Sequence, residues 1–267
     1  MSGTDQSAAA LYRAGKLDEA VAAAQAAVRK APTDLNARVL LGELLAFAGN
    51  LERADVVLDA ASAIDPTAAL VVAEFRQLIR ADMARRQLFR DGRVPELLSD
   101  ATETQRLQLA ALVALRGGDI AEAAKQAAAA EEARPRVSGK HGDTAFDDWR
   151  DADDLLAGSF EVLTTTGKYF WIPTERVASL EFHAPKRPRD LLWRRASMSV
   201  SEGPDGDVYI PVVYATDEAM TDPLRLGRET DWKEAEGAPV RGIGQRLFMA
   251  GEEAIPLMDL GNITFGA

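Results

Sequence analysis

A sequence period of 34 residues constrains the fold of the first part of this chain more than any other feature. The recurring pairs are Gly15 and Gly49, Leu17 and Leu51, Ala20 and Ala54, Ala27 and Ala61, and Pro32 and Pro66. Such self-similarity is typical of helical repeat proteins in which each unit is one pair of helices. Glycine ends a helix at little cost in the left-handed conformation, and proline interrupts the next one. The period therefore predicts tandem helix-turn-helix units.

The spacing of small and large residues resembles the tetratricopeptide repeat. In the second unit the signature positions are occupied by Leu41, Gly42, Leu45, Ala54, Leu58, Ala61 and Pro66. The first unit matches less fully, at Ala8, Leu11, Ala20, Ala24, Ala27 and Pro32. A long helix over about Thr67–Arg90 is predicted to follow, and then a degenerate third unit around Gly118–Ala123 and Pro135. We expect residues 1–135 to form a tetratricopeptide-like helical domain.

Stacked helical pairs line a concave surface with their first helices, and this surface usually receives a segment of a partner protein. In the register of these repeats, Tyr12, Arg13, Glu43 and Phe47 face that groove. They are therefore candidate partner-binding residues. The alternative for Phe47 is burial against the next helical hairpin.

Charge and composition exclude several classes of function. The formal net charge of −11 repels phosphate backbones and anionic lipids, so neither nucleic acid nor membrane is expected as a partner. The absence of cysteine excludes thiolate catalysis, thiolate metal sites and disulfides, and it fits a reducing compartment. Apolar stretches such as Leu109–Leu115 are far shorter than a membrane span. A cytoplasmic location is therefore expected.

The second half of the chain has a different pattern. Residues 136–147 lack periodicity and are predicted to be a linker, and residues 148–267 are predicted to form a compact, mostly antiparallel α+β domain. A short acidic helix is expected over Trp149–Gly158. The predicted strands are Phe160–Leu163, Tyr169–Ile172, Val177–Phe182, Ser197–Val200, Val208–Val213, Gln245–Ala250 and Ile255–Leu260. Together the two halves predict a multidomain α and α+β protein.

Candidate catalytic and metal-binding groups are few. The densest set is Asp147, Asp148, Asp151, Asp153 and Asp154, which could bind magnesium or act in acid–base catalysis. The alternative is a solvated first helical turn whose acids suit the positive end of the helix dipole. Two histidines without a nucleophile motif, and Gly242-Ile243-Gly244 without a phosphate-loop lysine, give little support to hydrolysis or nucleotide binding. We predict no enzyme activity, no cofactor and no metal.

Two groups combine arginine, aspartate and tryptophan. They are Arg189, Asp190 and Trp193, and Arg228, Asp231 and Trp232. Arginine and tryptophan beside each other are typical of interaction hot spots, so all six are candidate partner-binding residues. The alternative is a structural role in which charge-assisted hydrogen bonds fix loops on the β core.

Several motifs of the second half resemble one protein family. They are Asp151–Asp154 (DADD), Gly167–Pro173 (GKYFWIP), Pro188–Trp193 (PRDLLW), Leu226–Trp232 (LGRETDW) and Arg241–Arg246 (RGIGQR). They resemble the ImpE family, also called SciE or TagJ, of accessory proteins of the bacterial type VI secretion system. The resemblance implies a cytoplasmic accessory role beside the contractile sheath. It also implies two partners, the small subunit of the sheath and the ClpV-type AAA+ ATPase that recycles it.

The sequence therefore favours a non-enzymatic adaptor that binds both partners and modulates sheath disassembly. The alternative is a repeat-containing chaperone for a secreted effector, which predicts a tight complex with a cargo protein instead. An enzyme that acts through the acidic cluster is a third hypothesis, and it requires metal-dependent turnover that Asp153→Asn abolishes.

Overall fold

The first half of the chain is helical and the second half is built mainly from strands. The computed structural model describes residues 7–62, 64, 68–233 and 235–266. The helices are α1 (Ala8–Arg13), α2 (Leu17–Lys30), α3 (Leu35–Phe47), α4 (Leu51–Ser62), α5 (Ala69–Asp91), α6 (Glu103–Arg116), α7 (Ile120–Ala133) and the short α8 (Asp222–Arg225). The predicted helix end at Pro66 and helix start at Thr67 lie outside the described residues. Within the described ranges, no helix combines the length and apolar character needed to cross a membrane.

The helical hairpins share one turn geometry. Gly15, Gly49 and Gly118 have φ angles of 77°, 78° and 79°, in the left-handed region that glycine adopts without strain. At each turn the residue after the glycine donates its N–H to a carbonyl five residues earlier, as in Lys16 to Leu11 (3.0 Å) and Asp119 to Ala114 (3.0 Å). This pattern satisfies the last carbonyls of the first helix. The predicted third unit is therefore a real hairpin, formed by α6 and α7.

Small residues allow the helices of a pair to approach closely. A Cβ on Gly42 of α3 would lie only 2.9 Å from Cγ of Leu58 on α4, so no larger residue fits there without movement. Ala20, Ala54 and Ala61 are fully buried, as the repeat predicts. Ala27 is exposed instead, so close packing does not explain its small size.

The second half forms antiparallel sheets. An eight-stranded sheet has the order β2-β1-β13-β6-β7-β8-β4-β5, and β12-β11-β3 and β10-β9 form smaller sheets. The strands are β1 (Gly139–His141), β2 (Thr144–Phe146), β3 (Trp149–Asp151), β4 (Ser159–Leu163), β5 (Tyr169–Pro173), β6 (Val177–Phe182), β7 (Trp193–Val200), β8 (Asp205–Pro211), β9 (Thr230–Lys233), β10 (Arg241–Gly244), β11 (Leu247–Ala250), β12 (Glu253–Pro256) and β13 (Asn262–Phe265). The predicted class of helical repeats followed by a mostly antiparallel domain is confirmed.

Two predictions for the middle of the chain are wrong. The stretch 136–147, expected to be a linker, contains β1 and β2, which pair with each other and extend the large sheet. The stretch 149–158, expected to be an acidic helix, contains β3 followed by turns. Strands of three residues are too short to show a period of two, so only their pairing partners reveal them.

One hydrophobic core joins the helices to the sheets. Phe75 of α5 packs against Trp193 of β7 with ring centroids 5.9 Å apart, and both side chains are buried. The same cluster of buried residues contains Leu45 of α3 and Phe160 of β4. The long helix α5 therefore lies between the helical repeats and the large sheet, and its side chains pack against both.

Candidate partner-binding surface

The inner face of the first repeat is covered by the second half of the chain. Tyr12 and Phe47 are buried and their rings lie 5.4 Å apart. The guanidinium of Arg228 donates to the carbonyl of Tyr12 (2.9 Å) and to that of Arg13 (3.4 Å). The Arg13 side chain itself is exposed. The predicted binding residues Tyr12 and Phe47 are thus held in an internal contact, whereas the side chains of Arg13 and Arg228 are exposed.

A second contact fixes the start of α2 to α8. The carboxylate of Asp222 accepts the backbone N–H of Leu17 (2.9 Å), which would otherwise lack a partner at the helix N-terminus. Arg225, one turn later, forms an ion pair with Asp18 (3.0 Å). Residues more than 200 positions apart therefore complete one helix cap, and the repeat is joined to the second half by polar bonds as well as by the core.

The predicted residue Glu43 lies in α3 beside the loop that precedes β7. Its side chain is only 4% exposed. Burial raises the pKa of Glu43 to about 7, although the neighbouring Arg189 partly offsets this effect. Arg189 is also buried, and its guanidinium lies over the Phe75 ring, 4.6 Å from the centroid. The structure therefore brings Glu43 and Arg189 together, which the sequence could not show.

The other two residues of that motif have structural contacts. Asp190 accepts the backbone N–H groups of Lys186 (2.8 Å) and Arg187 (3.1 Å) and so fixes the shape of the loop. Trp193 is 1% exposed and belongs to the core. These contacts fit the structural alternative for Asp190 and Trp193.

An open groove remains between α3, α5 and this loop. It encloses about 460 Å³. Its floor is mostly apolar, and Lys186 and Arg187 are exposed on one wall. The lining residues are Leu35, Asn36, Val39, Leu40, Glu43, Ala68, Val71, Val72, Phe75, Lys186, Arg187, Pro188 and Arg189. We call this feature the α3–α5 groove. It combines an apolar surface with a positively charged edge.

The Trp232 motif lies elsewhere, on β9. Trp232 is partly exposed, and its ring centroid lies 6.3 Å from that of Tyr214. Together with Arg150 and Met249 it borders a shallow depression of about 450 Å³. Asp231 is exposed and accepts the backbone N–H of Trp232 (2.8 Å). The structure therefore separates Trp232 from Arg228, which contacts the first repeat.

The acidic cluster is not a solvated helical turn. Asp151 and Asp153 are buried, and Asp153 accepts from the guanidinium of Arg241 (2.8 Å) and from the backbone N–H of Gly242 (3.0 Å). Asp148 pairs with Arg134 (2.7 Å), whereas Asp147 is exposed. No group of three potential metal ligands occurs among the described residues. These carboxylates connect strands and turns.

A buried ionic network lies beneath the sheet and includes residues that the sequence analysis missed. Glu161 of β4 accepts two hydrogen bonds from Arg85 of α5, both 2.8 Å, and lies 3.1 Å from Arg246. Burial alone would raise the pKa of Glu161, but the two guanidinium groups outweigh it and lower the pKa to about 2. Arg246 also binds Asp151, which accepts the hydroxyl of Tyr214 (2.8 Å). A charged residue inside an apolar strand, such as Glu161 in Ser159–Leu163, is the sequence signal that could have identified this network.

Comparisons with known proteins give separate matches for the helical half and for the half built from strands. The family model described as ImpE protein matches residues 143–264, and a tetratricopeptide repeat model matches residues 11–74. The chain is 34% identical over 258 residues to the type VI secretion system accessory component TagJ of Pseudomonas aeruginosa, covering 96% of this chain and 89% of the relative. The chain belongs to the ImpE family. The resemblance drawn from the sequence motifs is thereby confirmed.

The arrangement of helices and sheets is also found in a solved structure. The crystal structure of a protein from Vibrio parahaemolyticus superposes with a TM-score of 0.90 at 28% sequence identity, and 96% of each chain is covered. The ImpE match spans β2–β12 and most of β13, and the tetratricopeptide match spans α2, α3 and α4 with parts of α1 and α5. The ImpE-family part therefore includes the buried network residues Glu161 and Arg246, whereas their partner Arg85 lies outside both matches.

Proposed function

We propose that this ImpE-family protein is a cytoplasmic, non-enzymatic adaptor of a type VI secretion system. It binds the small subunit of the contractile sheath and the ClpV-type AAA+ ATPase, and it modulates sheath disassembly. The relative in Pseudomonas aeruginosa bears the name of an accessory component of this system, which supports the accessory role. Tetratricopeptide repeats, which commonly bind protein segments, support an adaptor.

The α3–α5 groove is the observation that carries this proposal. Tyr12 and Phe47 are occupied by internal contacts, whereas the α3–α5 groove, which Glu43 lines, is a concave part of the repeat surface that can receive a partner. Its apolar floor suits the apolar face of a helix, and Lys186 and Arg187 suit acidic residues at the edge of that helix. Within the acidic cluster, the carboxylates of Asp148, Asp151, Asp153 and Asp154 are engaged in hydrogen bonds, which fits a protein without catalytic activity.

Binding of the purified full-length protein to each partner tests the proposal. We expect the small sheath subunit and the ATPase to bind, and the double variant Lys186→Glu/Arg187→Glu to weaken one of these interactions about tenfold or more. The matched control is Arg29→Glu/Arg136→Glu, which changes the net charge equally at exposed positions outside the groove. Binding of neither partner by the unmodified protein would refute the proposal. A tight complex with a secreted effector instead would favour the chaperone alternative.

A further inference from the structure

Arg189 is a cation that is buried in the α3–α5 groove without an acceptor for its N–H groups. Its side chain is 6% exposed and lines the groove. The guanidinium lies over the Phe75 ring, but it forms no hydrogen bond and no ion pair with any other residue that the structure describes. A guanidinium has five N–H donors and is charged at every physiological pH. Because buried polar groups normally have partners, these donors indicate a ligand that supplies the acceptors.

The two acidic side chains near Arg189 do not balance its charge. Glu43 lines the same groove, but burial raises its pKa to about 7, so this carboxyl is only partly ionised near neutral pH. Asp190 accepts the backbone N–H groups of Lys186 and Arg187 instead. Burial and the neighbouring Arg187 lower the pKa of Arg189, and the two carboxyl groups do not offset this effect. The guanidinium therefore retains an uncompensated positive charge.

The two other cations of the groove likewise have no ion pair within the part of the chain that the structure describes. Lys186 and Arg187 are exposed on its wall. Among the described lining residues, three cations therefore accompany one partly ionised acid, Glu43. This excess of positive charge is local, because the complete chain has 31 basic and 42 acidic residues. A concave surface with one sign of charge attracts groups of the opposite sign.

An apolar surface extends from Arg189 along two helices. Leu35, Val39 and Glu43 follow each other at intervals of four residues on α3, so they form one face about 12 Å long. From α5, Val71 lines the same groove and is 41% exposed. Glu43 and Arg189 are neighbours, so the cation lies at one end of this surface. A segment in the groove therefore places apolar side chains on both helices and reaches Arg189 with one further side chain.

A side-chain carboxylate is the acceptor that this arrangement selects. Its two oxygens accept two parallel N–H groups from one guanidinium, and its charge balances that of Arg189. A main-chain carbonyl would leave the buried charge uncompensated. A phosphate group is bound by several donors that converge on one point, whereas here a single buried guanidinium lies beside apolar side chains. Because Arg189 is recessed, a glutamate with two methylene groups reaches it more readily than a carboxylate at the end of a main chain.

We propose that Arg189 makes the α3–α5 groove specific for a partner segment that carries a glutamate between apolar residues. The glutamate carboxylate forms a bidentate ion pair with Arg189, and the apolar residues pack against Val39 of α3 and Val71 of α5. Lys186 and Arg187 at the rim attract the segment, and Arg189 selects it. This inference rests on the proposed function, since it names the chemistry of the segment that the groove receives.

Peptide display on the full-length protein tests this specificity. The probe is a phage library of random peptides of about 12 residues, which span about 18 Å as a helix and are displayed without a free C-terminus. We expect the selected peptides to share a glutamate with apolar residues three or four positions away. The selection is repeated on Arg189→Gln and on the matched control Arg29→Gln, an exposed position of α2. The glutamate should persist with the control and disappear with Arg189→Gln.

Fluorescence anisotropy of the strongest selected peptide identifies the contact. This peptide is compared with one in which the glutamate is replaced by glutamine, and both have amidated C-termini. We expect Arg189→Gln to weaken binding of the glutamate peptide about tenfold or more, and to change binding of the glutamine peptide by less than about twofold. A purely structural role of Arg189 would instead weaken both peptides equally, so the comparison separates the two roles.

Three outcomes would overturn the inference. They are a selection that yields no shared glutamate, an equal loss of affinity for both peptides in Arg189→Gln, and full displacement of the glutamate peptide by inorganic phosphate. If circular dichroism shows that Arg189→Gln is unfolded, Arg189→Lys replaces it. Lysine keeps the charge but lacks the planar fork, so the preference for glutamate over glutamine should decrease about threefold or more, and an unchanged preference would contradict the inference.

The peptide assays contain neither the sheath subunit nor the ATPase. Loss of the glutamate preference would therefore overturn the specificity of the groove without affecting the pairwise binding test of the proposed function. Conversely, a protein that binds the glutamate peptide through Arg189 but neither of the two proposed partners would refute the proposed function alone.

Discussion

Replacing Glu161 by glutamine is expected to be among the most destabilising conservative changes in this protein. The substitution keeps the size of the side chain but removes the negative charge between Arg85 and Arg246. Glu161 and Arg246 are fully buried, and Arg85 is 4% exposed. Removing one partner of a buried ion pair typically costs about 3–5 kcal/mol because the remaining charge is left uncompensated.

The lowered pKa of Glu161 gives a second value for the free energy by which its charge stabilises the fold. Its decrease from the ordinary value of 4.5 to about 2 corresponds to about 3 kcal/mol of stability. Because the pKa is lowered in the folded state, this contribution is complete above about pH 4.5 and is lost as the pH falls towards about 2. The difference in stability between wild type and Glu161→Gln should therefore narrow below about pH 4.5.

Urea denaturation followed by tryptophan fluorescence measures the effect. Trp149, Trp171 and Trp193 are buried, so their emission reports loss of the core. The matched control is Glu181→Gln, which changes an exposed glutamate of the same large sheet and should alter the free energy of unfolding by less than about 0.5 kcal/mol. A loss below about 1 kcal/mol for Glu161→Gln, or a loss equal to that of the control, would refute the reasoning.

Three further predictions concern individual residues. Because burial raises the pKa of Glu43 to about 7, wild-type stability should decrease as the pH rises from about 4.5 to about 7, and Glu43→Gln should flatten this part of a melting-temperature profile. An unchanged slope in Glu43→Gln would contradict the assignment. Gly242→Ala should lower the melting temperature by several degrees because its Cβ would lie 2.1 Å from the Tyr214 ring, whereas Gly206→Ala, which has open space, should not. Trp232→Ala is expected to remain folded by circular dichroism because the side chain is partly exposed. If the folded variant loses a partner in a pull-down, Trp232 is an interface residue. Aggregation of the variant would instead identify Trp232 as a core residue.

The sequence determined the local structure of the helical half. The turn between two helices depends on residues within one or two helical turns of each other. Gly15, Gly49 and Gly118 therefore predict the hairpins without any tertiary contact. The strand Val177–Phe182 was predicted with the bounds that the structure shows, because its β-favouring residues are contiguous and its flanking residues break the pattern. The ImpE family could also be predicted from short motifs of the second half, such as Gly167–Pro173 and Leu226–Trp232.

Only the tertiary structure decided which surfaces are available. The periodicity of α1 and α3 places Tyr12, Glu43 and Phe47 on the inner face of the repeats, but it cannot show that Arg228 and Arg189 from the second half cover that face. These contacts join residues more than 140 positions apart, and no local pattern encodes such a pairing. The same reason applies to the buried network, since the charge of Glu161 is stable in the core because folding brings Arg85 of α5 and Arg246, next to β11, to it. The 34-residue period thus determines the repeats, and folding of the second half against them leaves the α3–α5 groove open.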